Sequence, residues 1–366
     1  MNSALLYTKR DMKLTTQCRL NGDFEPLLLM IQQANRACNY ISQIAYQERV
    51  FRAIPLVYRC YHKVRKTYGL KSALTLALIR RVAAAYSNKA RRSTLAHFGS
   101  LSLPLYQHRY RGGTVAFYGL RFSVILRPGA TLPPKAADAV LVYRDGRAFI
   151  HQPIEVECPA PIAPTGVLGV DLGIVNIAVD SDGTVYSGGH LNGLRHRHAR
   201  LRAKLQAKGT RAAKRLLAKR RRKEGGFARW VNHNISKSLV NKARRHSLGI
   251  ALEDLKGIRE RVTVRRAQRR QHHAWAFQQL RGFITYKAAL AGVSVVTVDP
   301  RNTSRTCPAC GYVAKSNRVS QARFLCGLCS FAGLADHIAA MNIRGRATGD
   351  WPYVASLDSY ESASSR

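Results

Sequence analysis

The sequence predicts a multi-domain α/β protein, and three observations support this. The chain has 366 residues, which is more than one hydrophobic core usually organises. Its hydrophobic content of 46% is enough to bury such cores. Helical and strand-like apolar patterns also occupy separate stretches, with a proline-rich segment at 159–164 between the two halves. We therefore expect at least two units joined near that segment.

The first half is predicted to be β structure interrupted by helices. Residues 13–20 suit a strand, and apolar residues recur at helical spacing from Phe24 to about Arg92. Pro55 is expected to divide this stretch into at least two helices. Alternating runs follow, separated by Gly-Gly, Pro-Gly and Asp-Gly pairs typical of antiparallel turns. These runs are 114–118, 121–126, 139–143 and 148–154.

The second half is predicted to contain a sheet, long basic helices and a short final helix. The predicted strands are 167–171, 174–180, 184–187, 248–252 and 293–298. The predicted helices lie in the basic region, at 274–290 and from about 334 to 346. The tail from 348 to 366 is rich in serine, and we expect it to be mobile.

The charge of the chain is strongly positive, with 60 Lys and Arg against 20 Asp and Glu and a net charge of +40. Residues 195–270 hold 26 basic and 4 acidic residues, a net +22. Like charges at this density repel unless a polyanion is bound, so nucleic acid is the first candidate partner and an anionic membrane surface the weaker one. For the basic helices alone, a solvated helix face is the alternative interpretation.

No membrane segment or secretory signal is expected. The longest apolar stretch, 288–298, has 11 residues, and a spanning helix needs about 20. The first residues, MNSALLYTKRD, lack an apolar core after a basic segment. We therefore expect a cytoplasmic location.

Four of the eight cysteines form two pairs with the spacing of a metal site. Cys307 and Cys310 are separated by 15 residues from Cys326 and Cys329. Two CxxC pairs at this distance are typical of tetrahedral Zn²⁺, and four thiolates leave the metal no open position. The zinc site is therefore expected to be structural. The other cysteines follow no pattern and are expected to be ordinary buried thiols; they are Cys18, Cys38, Cys60 and Cys158.

Three carboxylates stand out at the borders of apolar elements. Asp171 lies in Gly-Val-Asp-Leu-Gly, Glu253 ends an apolar strand, and Asp336 precedes the last helical run. A carboxylate among apolar residues is costly unless it binds a cation. Three such groups could hold two Mg²⁺ ions, which activate water and stabilise a leaving oxygen in phosphodiester cleavage. Each acid alone also suits a surface carboxylate or a helix cap, and the spacing does not bring the three together.

The order of these elements matches the ribonuclease H-like layout, and the motifs resemble a known family. Residues 169–173 look like the first RuvC motif, Glu253-Asp-Leu looks like the second, and Asp336-x-x-Ala-Ala-x-Asn-Ile looks like the third. A four-cysteine ribbon precedes the third motif, and the stretch 299–311 is similar to its first part. Over about 165–343 the chain thus resembles TnpB, the family of transposon-encoded RNA-guided nucleases from which the type V CRISPR effectors descend.

The resemblance implies an RNA-guided DNA endonuclease. It implies a guide RNA and a double-stranded DNA target with a short adjacent motif as partners. It also implies that Asp171, Glu253 and Asp336 are catalytic and hold two Mg²⁺ ions, and that the four cysteines hold zinc. The resemblance further implies a nucleoid-associated protein of a prokaryote. The oligomeric state stays open.

The resemblance also implies a division into domains. A β-barrel-like wedge domain carries a helical recognition insert, and a RuvC-like nuclease carries the zinc ribbon. The expected bounds are 1–22 and 96–160 for the wedge, 23–95 for the recognition insert, 165–300 and 334–347 for the nuclease, 301–333 for the ribbon and 348–366 for the tail.

Two departures from the family pattern keep alternatives open. The third motif often has an acidic residue where this chain has Leu334, and asparagine where it has Ile338. A nuclease-deficient RNA-guided DNA-binding protein or repressor is one alternative, and a small type V CRISPR effector is another. A guide-free transposase is disfavoured, because a four-cysteine ribbon before the last acid is not typical of that class.

Overall fold

The computed structural model describes residues 12–106, 108–126, 132, 138–254 and 277–349. The chain divides into two compact units. The N-terminal unit ends at Val156, and the C-terminal unit begins at Glu157.

The N-terminal unit combines an antiparallel sheet with three helices inserted after its first strand. The strands are β1 Met12–Asn21, β2 Ser102–Leu105, β3 His108–Arg111, β4 Thr114–Phe117, β5 Leu120–Ile125, β6 Ala139–Arg144 and β7 Arg147–Val156. The helices are α1 Glu25–Gln47, α2 Ala53–Tyr68 and α3 Ser72–Ala85. The predicted Pro-Gly turn at 128–129 lies outside the described residues.

The seven strands form one sheet in the order β2-β6-β7-β1-β5-β4-β3. The Tyr118 hydroxyl, from the turn after β4, donates to the Pro104 carbonyl of β2 at 2.8 Å. This contact joins opposite ends of the sheet, so the sheet approaches a closed barrel. Buried residues of the strands and of the inserted helices form one continuous apolar core.

The prediction that Pro55 separates two helices was wrong. Pro55 lies in the first turn of α2. Backbone N–H groups of the first turn make no hydrogen bond within the helix, so a proline, which lacks this group, is tolerated there. The breaks occur instead at residues 48–52 and at Gly69, which ends α2 in the left-handed conformation with φ 61°.

The C-terminal unit is built on a mixed sheet. Its strands are β8 Gly166–Asp171, β9 Asn176–Asp180, β10 Val185–Ser187, β11 Leu248–Glu253 and β12 Val295–Val298. They lie in the order β10-β9-β8-β11-β12. β8 pairs antiparallel with β9 and parallel with β11, and β11 pairs parallel with β12. The strands that carry Asp171 and Glu253 are therefore neighbours that end at the same edge.

The described part of this unit also has four α-helices, namely α4 Gly189–Lys208, α5 Arg211–Arg245, α6 Phe277–Leu290 and α7 Ala335–Thr348. α5 packs against α4 and α6, and α7 packs against β8. Two short strands, β13 Arg323–Leu325 and β14 Ala332–Leu334, form a hairpin directly before α7. The predicted basic segment beyond residue 254 and the predicted mobile tail from 350 lie outside the described residues.

None of the described helices is both long and apolar enough to cross a membrane.

Candidate active site and zinc site

Asp171 lies at the end of β8, at the point where α7 packs most closely on the sheet. A Cβ atom on Gly169 would lie 2.6 Å from the Arg344 backbone nitrogen, and closer still to the Ala340 carbonyl oxygen. The glycine thus allows the strand and the helix to approach. Burial raises the pKa of Asp171 well above its ordinary value, and the nearby carboxylates of Glu253 and Asp336 raise it further.

Glu253 lies beside Asp171 on the neighbouring strand. Leu252 is level with Val170 in the parallel β11–β8 ladder, so the next residue of each strand is a carboxylate. Burial raises the pKa of Glu253, and the Thr303 hydroxyl, which donates to its Oε1, lowers it. A raised pKa means that the folded chain disfavours this negative charge in the absence of a cation.

Asp336 lies in the first turn of α7, where the helix dipole favours a negative charge. Asn176, at the start of β9, donates its amide to Asp336 Oδ2 at 2.9 Å. The Arg318 guanidinium lies 3.6 Å from Asp336 Oδ1. No side chain caps the N-terminus of this helix, so Asp336 is not the N-cap that its position also suggested.

The structure brings the three predicted acids into one electrostatic neighbourhood. Both Glu253 and Asp336 act on the pKa of Asp171. The carboxylates are not in mutual ligand contact, because among the described residues only the four cysteines form a group of three or more such side chains whose ligand atoms all lie within 4.8 Å of one another.

Sequence reasoning missed three polar residues of this site: Asn176, Thr303 and Arg318. They lie 160, 50 and 18 positions from the carboxylates that they contact. Asn176 and Thr303 had a weak signal, since each is a polar residue within a few positions of a motif. Arg318 had none, because it is one of 60 basic residues in the chain.

The two departures in the third motif have different surroundings. Ile338 is 1% exposed and belongs to an apolar cluster with Phe324 and Cys326, so it packs on the ribbon. Leu334 is 57% exposed. Asn176 supplies an amide to Asp336 from another element, so this carboxylate keeps a polar partner without an asparagine at 338.

The four cysteines come together as the spacing predicted. The sulfur atoms of Cys307 and Cys329 lie 3.6 Å apart, and those of Cys310 and Cys326 lie 3.5 Å apart. A tetrahedral ion with bonds of about 2.3 Å requires sulfur separations of about 3.8 Å. The cluster therefore fits a structural zinc ion without rearrangement.

Backbone N–H groups are directed at the sulfur of Cys326. Leu328 N and Cys329 N lie 3.4 and 3.5 Å from it. Burial raises the pKa of Cys326, but these N–H groups and the neighbouring Cys310 and Cys329 side chains together bring the pKa down to about 7. A thiol that ionises this readily is suited to bind a metal.

The four cysteines outside this cluster were predicted to be ordinary buried thiols. Cys18, Cys38 and Cys60 are buried, whereas Cys158 is half-buried.

The basic region forms two antiparallel helices, α4 and α5. α5 carries 13 basic residues and one acidic residue, Glu224. Glu224 is mostly buried and pairs with Arg202 at 2.8 Å and with His198 at 3.4 Å, which ties α5 to α4. Trp230 is 60% exposed and stacks on Phe227 with ring centroids 5.8 Å apart.

Comparisons with known proteins match part of this chain, including the segment that holds the four cysteines and Asp336. The family model described as "Cas12f1-like, TNB domain" matches residues 277–343. TnpB-like protein MJ0751 of Methanocaldococcus jannaschii is 37% identical over 112 residues, or 30% of this chain and 40% of that protein. The putative RNA-guided DNA endonuclease InsQ of Escherichia coli K12 is 28% identical over 219 residues, or 54% of this chain and 53% of that protein.

A solved structure of a Cas12f1–sgRNA–target DNA complex aligns with a TM-score of 0.41 and 15% identity, over 92% of this chain and all of that one. The chain thus matches 40% to 53% of the length of these two curated relatives. The family model's match includes the four cysteines and the last acidic motif, and by these sequence matches the chain is similar to TnpB-like and Cas12f-like proteins.

Proposed function

We propose that this protein is an RNA-guided DNA endonuclease that hydrolyses phosphodiester bonds at Asp171, Glu253 and Asp336. One observation carries the proposal. Asp171 is a half-buried carboxylate with two further carboxylates near it, and burial and these two neighbours raise its pKa. Negative charges gathered in such a setting are costly to the fold and mark a candidate cation or reaction site.

Asp171, Glu253 and Asp336 are the residues that would hold two Mg²⁺ ions. When bound, the ions would supply an activated water and a counter-charge for the leaving oxygen. Asn176 and Thr303 orient two of these carboxylates. Arg318, near both Asp336 and Asp171, adds positive charge at the place where the DNA phosphate must approach.

The strand order supports the ribonuclease H-like interpretation of this unit. Its first strand, β8, lies at the centre of the sheet, with an antiparallel hairpin on one side and parallel strands on the other. We extend the proposal to the domains, with a RuvC-like nuclease at 165–300 and 334–347 and the ribbon at 301–333. The wedge is proposed at 1–22 and 96–160, and its recognition insert at 23–95.

Guide RNA and target DNA are the proposed partners, with the α4–α5 pair as a contact surface. InsQ carries the name of an RNA-guided DNA endonuclease. The charge of α5 suits contacts to a phosphate backbone, which bind without reading sequence and leave that to guide pairing.

The test is cleavage of a target plasmid by the chain with its guide RNA and Mg²⁺. We expect Asp171→Ala to abolish cleavage and to leave RNA and DNA binding within about twofold of wild type. Asp182→Ala, which removes an exposed carboxylate of the same unit, should cleave normally. Cleavage by Asp171→Ala would refute the assignment of the site.

A nuclease-deficient RNA-guided DNA-binding protein is the second candidate, and the exposed Leu334 at an often acidic position favours it. The same assay separates the two, because that protein would retain target binding and leave the plasmid intact. Whether an active chain serves a transposon or a CRISPR array depends on the DNA beside its gene.

A further inference from the structure

Thr303 links the middle of a loop to the Glu253 carboxylate. The loop covers residues 299–306 and connects β12 to the first cysteine pair; we refer to it as the connecting loop. Thr303 is 3% exposed, and its hydroxyl donates to Glu253 Oε1. A carboxylate that accepts a hydrogen bond from a buried, fixed donor is restricted in its rotation.

α7 holds the connecting loop by its backbone. The Asn342 amide nitrogen donates to the carbonyls of Thr303 and Thr306, both at 2.7 Å. Both N–H bonds of that amide are thereby used, and Asn342 is 2% exposed. One turn further on, Arg346 donates to the carbonyls of Asp299 and Arg301. Four carbonyls of an eight-residue loop are therefore fixed by one helix.

The same helix carries Asp336 in its first turn. α7 therefore positions Asp336 directly, and it influences the orientation of Glu253 indirectly, through Thr303. Glu253 itself belongs to β11, which reaches the site from the sheet. The connecting loop is thus a bridge between two carboxylates on separate elements.

We propose that Thr303 is a positioning residue whose hydroxyl holds the Glu253 carboxylate in the orientation that binds a divalent cation, while Asn342 holds Thr303. This inference rests on the proposed function, because it concerns the same metal site. Groups that orient metal ligands typically change metal affinity by about 10- to 100-fold when they are removed.

The chain offers a matched control in Thr306. Thr306 is fully buried in the same loop, and its hydroxyl donates to the Asn302 carbonyl at 2.9 Å. Replacing either threonine by valine removes one hydroxyl at nearly constant volume. Only Thr303→Val removes the bond to Glu253.

The experiment measures Mn²⁺ binding to the full-length, zinc-loaded chain by the electron paramagnetic resonance signal of free Mn²⁺. Thr303→Val should weaken binding about tenfold or more, Thr303→Ser should stay within about threefold of wild type, and Thr306→Val should change it little. Circular dichroism and zinc content show whether each variant is folded. Thr303→Ala, which needs less space, replaces Thr303→Val if the valine variant does not fold.

Two outcomes overturn the inference. One is Mn²⁺ affinity of Thr303→Val within twofold of wild type, and the other is an equal loss in Thr306→Val, which would mean that loop stability alone is responsible. The variant Asp171→Ala distinguishes a failure of the Thr303 inference from a failure of the proposed function. If Asp171→Ala binds Mn²⁺ like wild type, the metal site itself is wrong and the inference falls with it; if only Asp171→Ala loses affinity, the inference alone is wrong.

Discussion

Gly169 of β8 lies against the Ala340 backbone of α7, with no room between them for a side chain. The strand that carries Asp171 and the helix that carries Asp336 are in contact at this point. The glycine two positions before Asp171 therefore has a packing role, separate from the chemistry of the acid that follows it.

We expect Gly169→Ala to lower the free energy of unfolding by about 3 kcal/mol, because the new methyl group forces strand and helix apart. Gly193→Ala is the matched control, since Gly193 lies in the exposed part of α4 with open space around it. That change should stabilise the chain by about 0.5–1 kcal/mol through helix propensity. Urea unfolding measures both, and equal stability of Gly169→Ala and wild type would contradict the packing role.

How much of this site the sequence could predict depends on the distance along the chain between contacting residues. The four cysteines were predictable because their geometry is set by two short CxxC turns. Asp171 and Glu253 could be proposed because each ends an apolar strand. The contacts of Asn176 with Asp336 and of Thr303 with Glu253 could not be predicted, since they depend on how β9 and the connecting loop pack.

The same limit applies to the fold. The positions of β4 to β7 followed from alternation and turn residues, which are local signals, whereas β2 and β3 were not among the predicted runs. Pro55 was misassigned because proline is compatible with the first turn of a helix as well as with a break. The ends of α2 are set instead by a chain reversal at 48–52 and by the left-handed Gly69.

The Asp171 carboxylate should destabilise the metal-free chain. The pKa of Asp171 is raised in the folded state above the ordinary value of 3.8, so the fold favours the protonated side chain. The protonated group contributes its full stability below pH 3.8, and this contribution is lost as the pH rises through the folded pKa. Asp171→Asn should therefore exceed wild type in stability by about 1 kcal/mol at neutral pH in magnesium-free buffer, and the difference should shrink toward pH 4. Thermal unfolding across this pH range measures it.

Asp182→Asn is the control for that experiment. Its side chain is 43% exposed and pairs with Lys242, so its loss should change stability by less than about 1 kcal/mol and in the destabilising direction. A stability gain in both variants would indicate a general response to lower negative charge, and no gain in Asp171→Asn would contradict the electrostatic account.

Arg318 should contribute to cleavage more than to nucleic-acid binding. Its guanidinium lies 3.6 Å from Asp336 and also acts on Asp171, at the place proposed for the reacting phosphate. We expect Arg318→Gln to reduce the single-turnover cleavage rate about tenfold or more, with target affinity nearly unchanged. Arg323→Gln, an exposed cation of the same ribbon, should cleave at the wild-type rate. Similar losses in both variants would point to general charge attraction instead.

Zinc binding should be necessary for the position of Asp336. Ile338, one residue beyond His337, packs in a cluster with Phe324 and Cys326, so the first turn of α7 rests on the ribbon. We expect one zinc per chain by elemental analysis, its loss in Cys326→Ala, and a lower melting temperature with loss of cleavage. Cys158→Ala should keep the metal, because Cys158 lies outside the cluster. Stoichiometric zinc in Cys326→Ala would contradict the four-thiolate site.

The Phe227–Trp230 pair on α5 should contribute to the binding of single-stranded nucleic acid. Phe227 packs against the core of the C-terminal unit, and Trp230 stacks on it with 60% of its surface exposed, which leaves an aromatic face beside a helix of high positive charge. A base that stacks on such a face contributes about 1–3 kcal/mol, so Trp230→Ala should weaken binding about tenfold. Fluorescence anisotropy with labelled RNA and with single-stranded DNA measures the effect and identifies which strand uses the site.

Two comparison variants complete this experiment. Trp230→Phe should recover most of the affinity, because it restores an aromatic face. Leu216→Ala removes an exposed aliphatic side chain from the same helix and should have no effect. Since every variant keeps the charge of α5, the dependence of binding on salt concentration should be the same in all of them. Unchanged affinity of Trp230→Ala for both strands would show that this surface contacts nucleic acid through its charges alone.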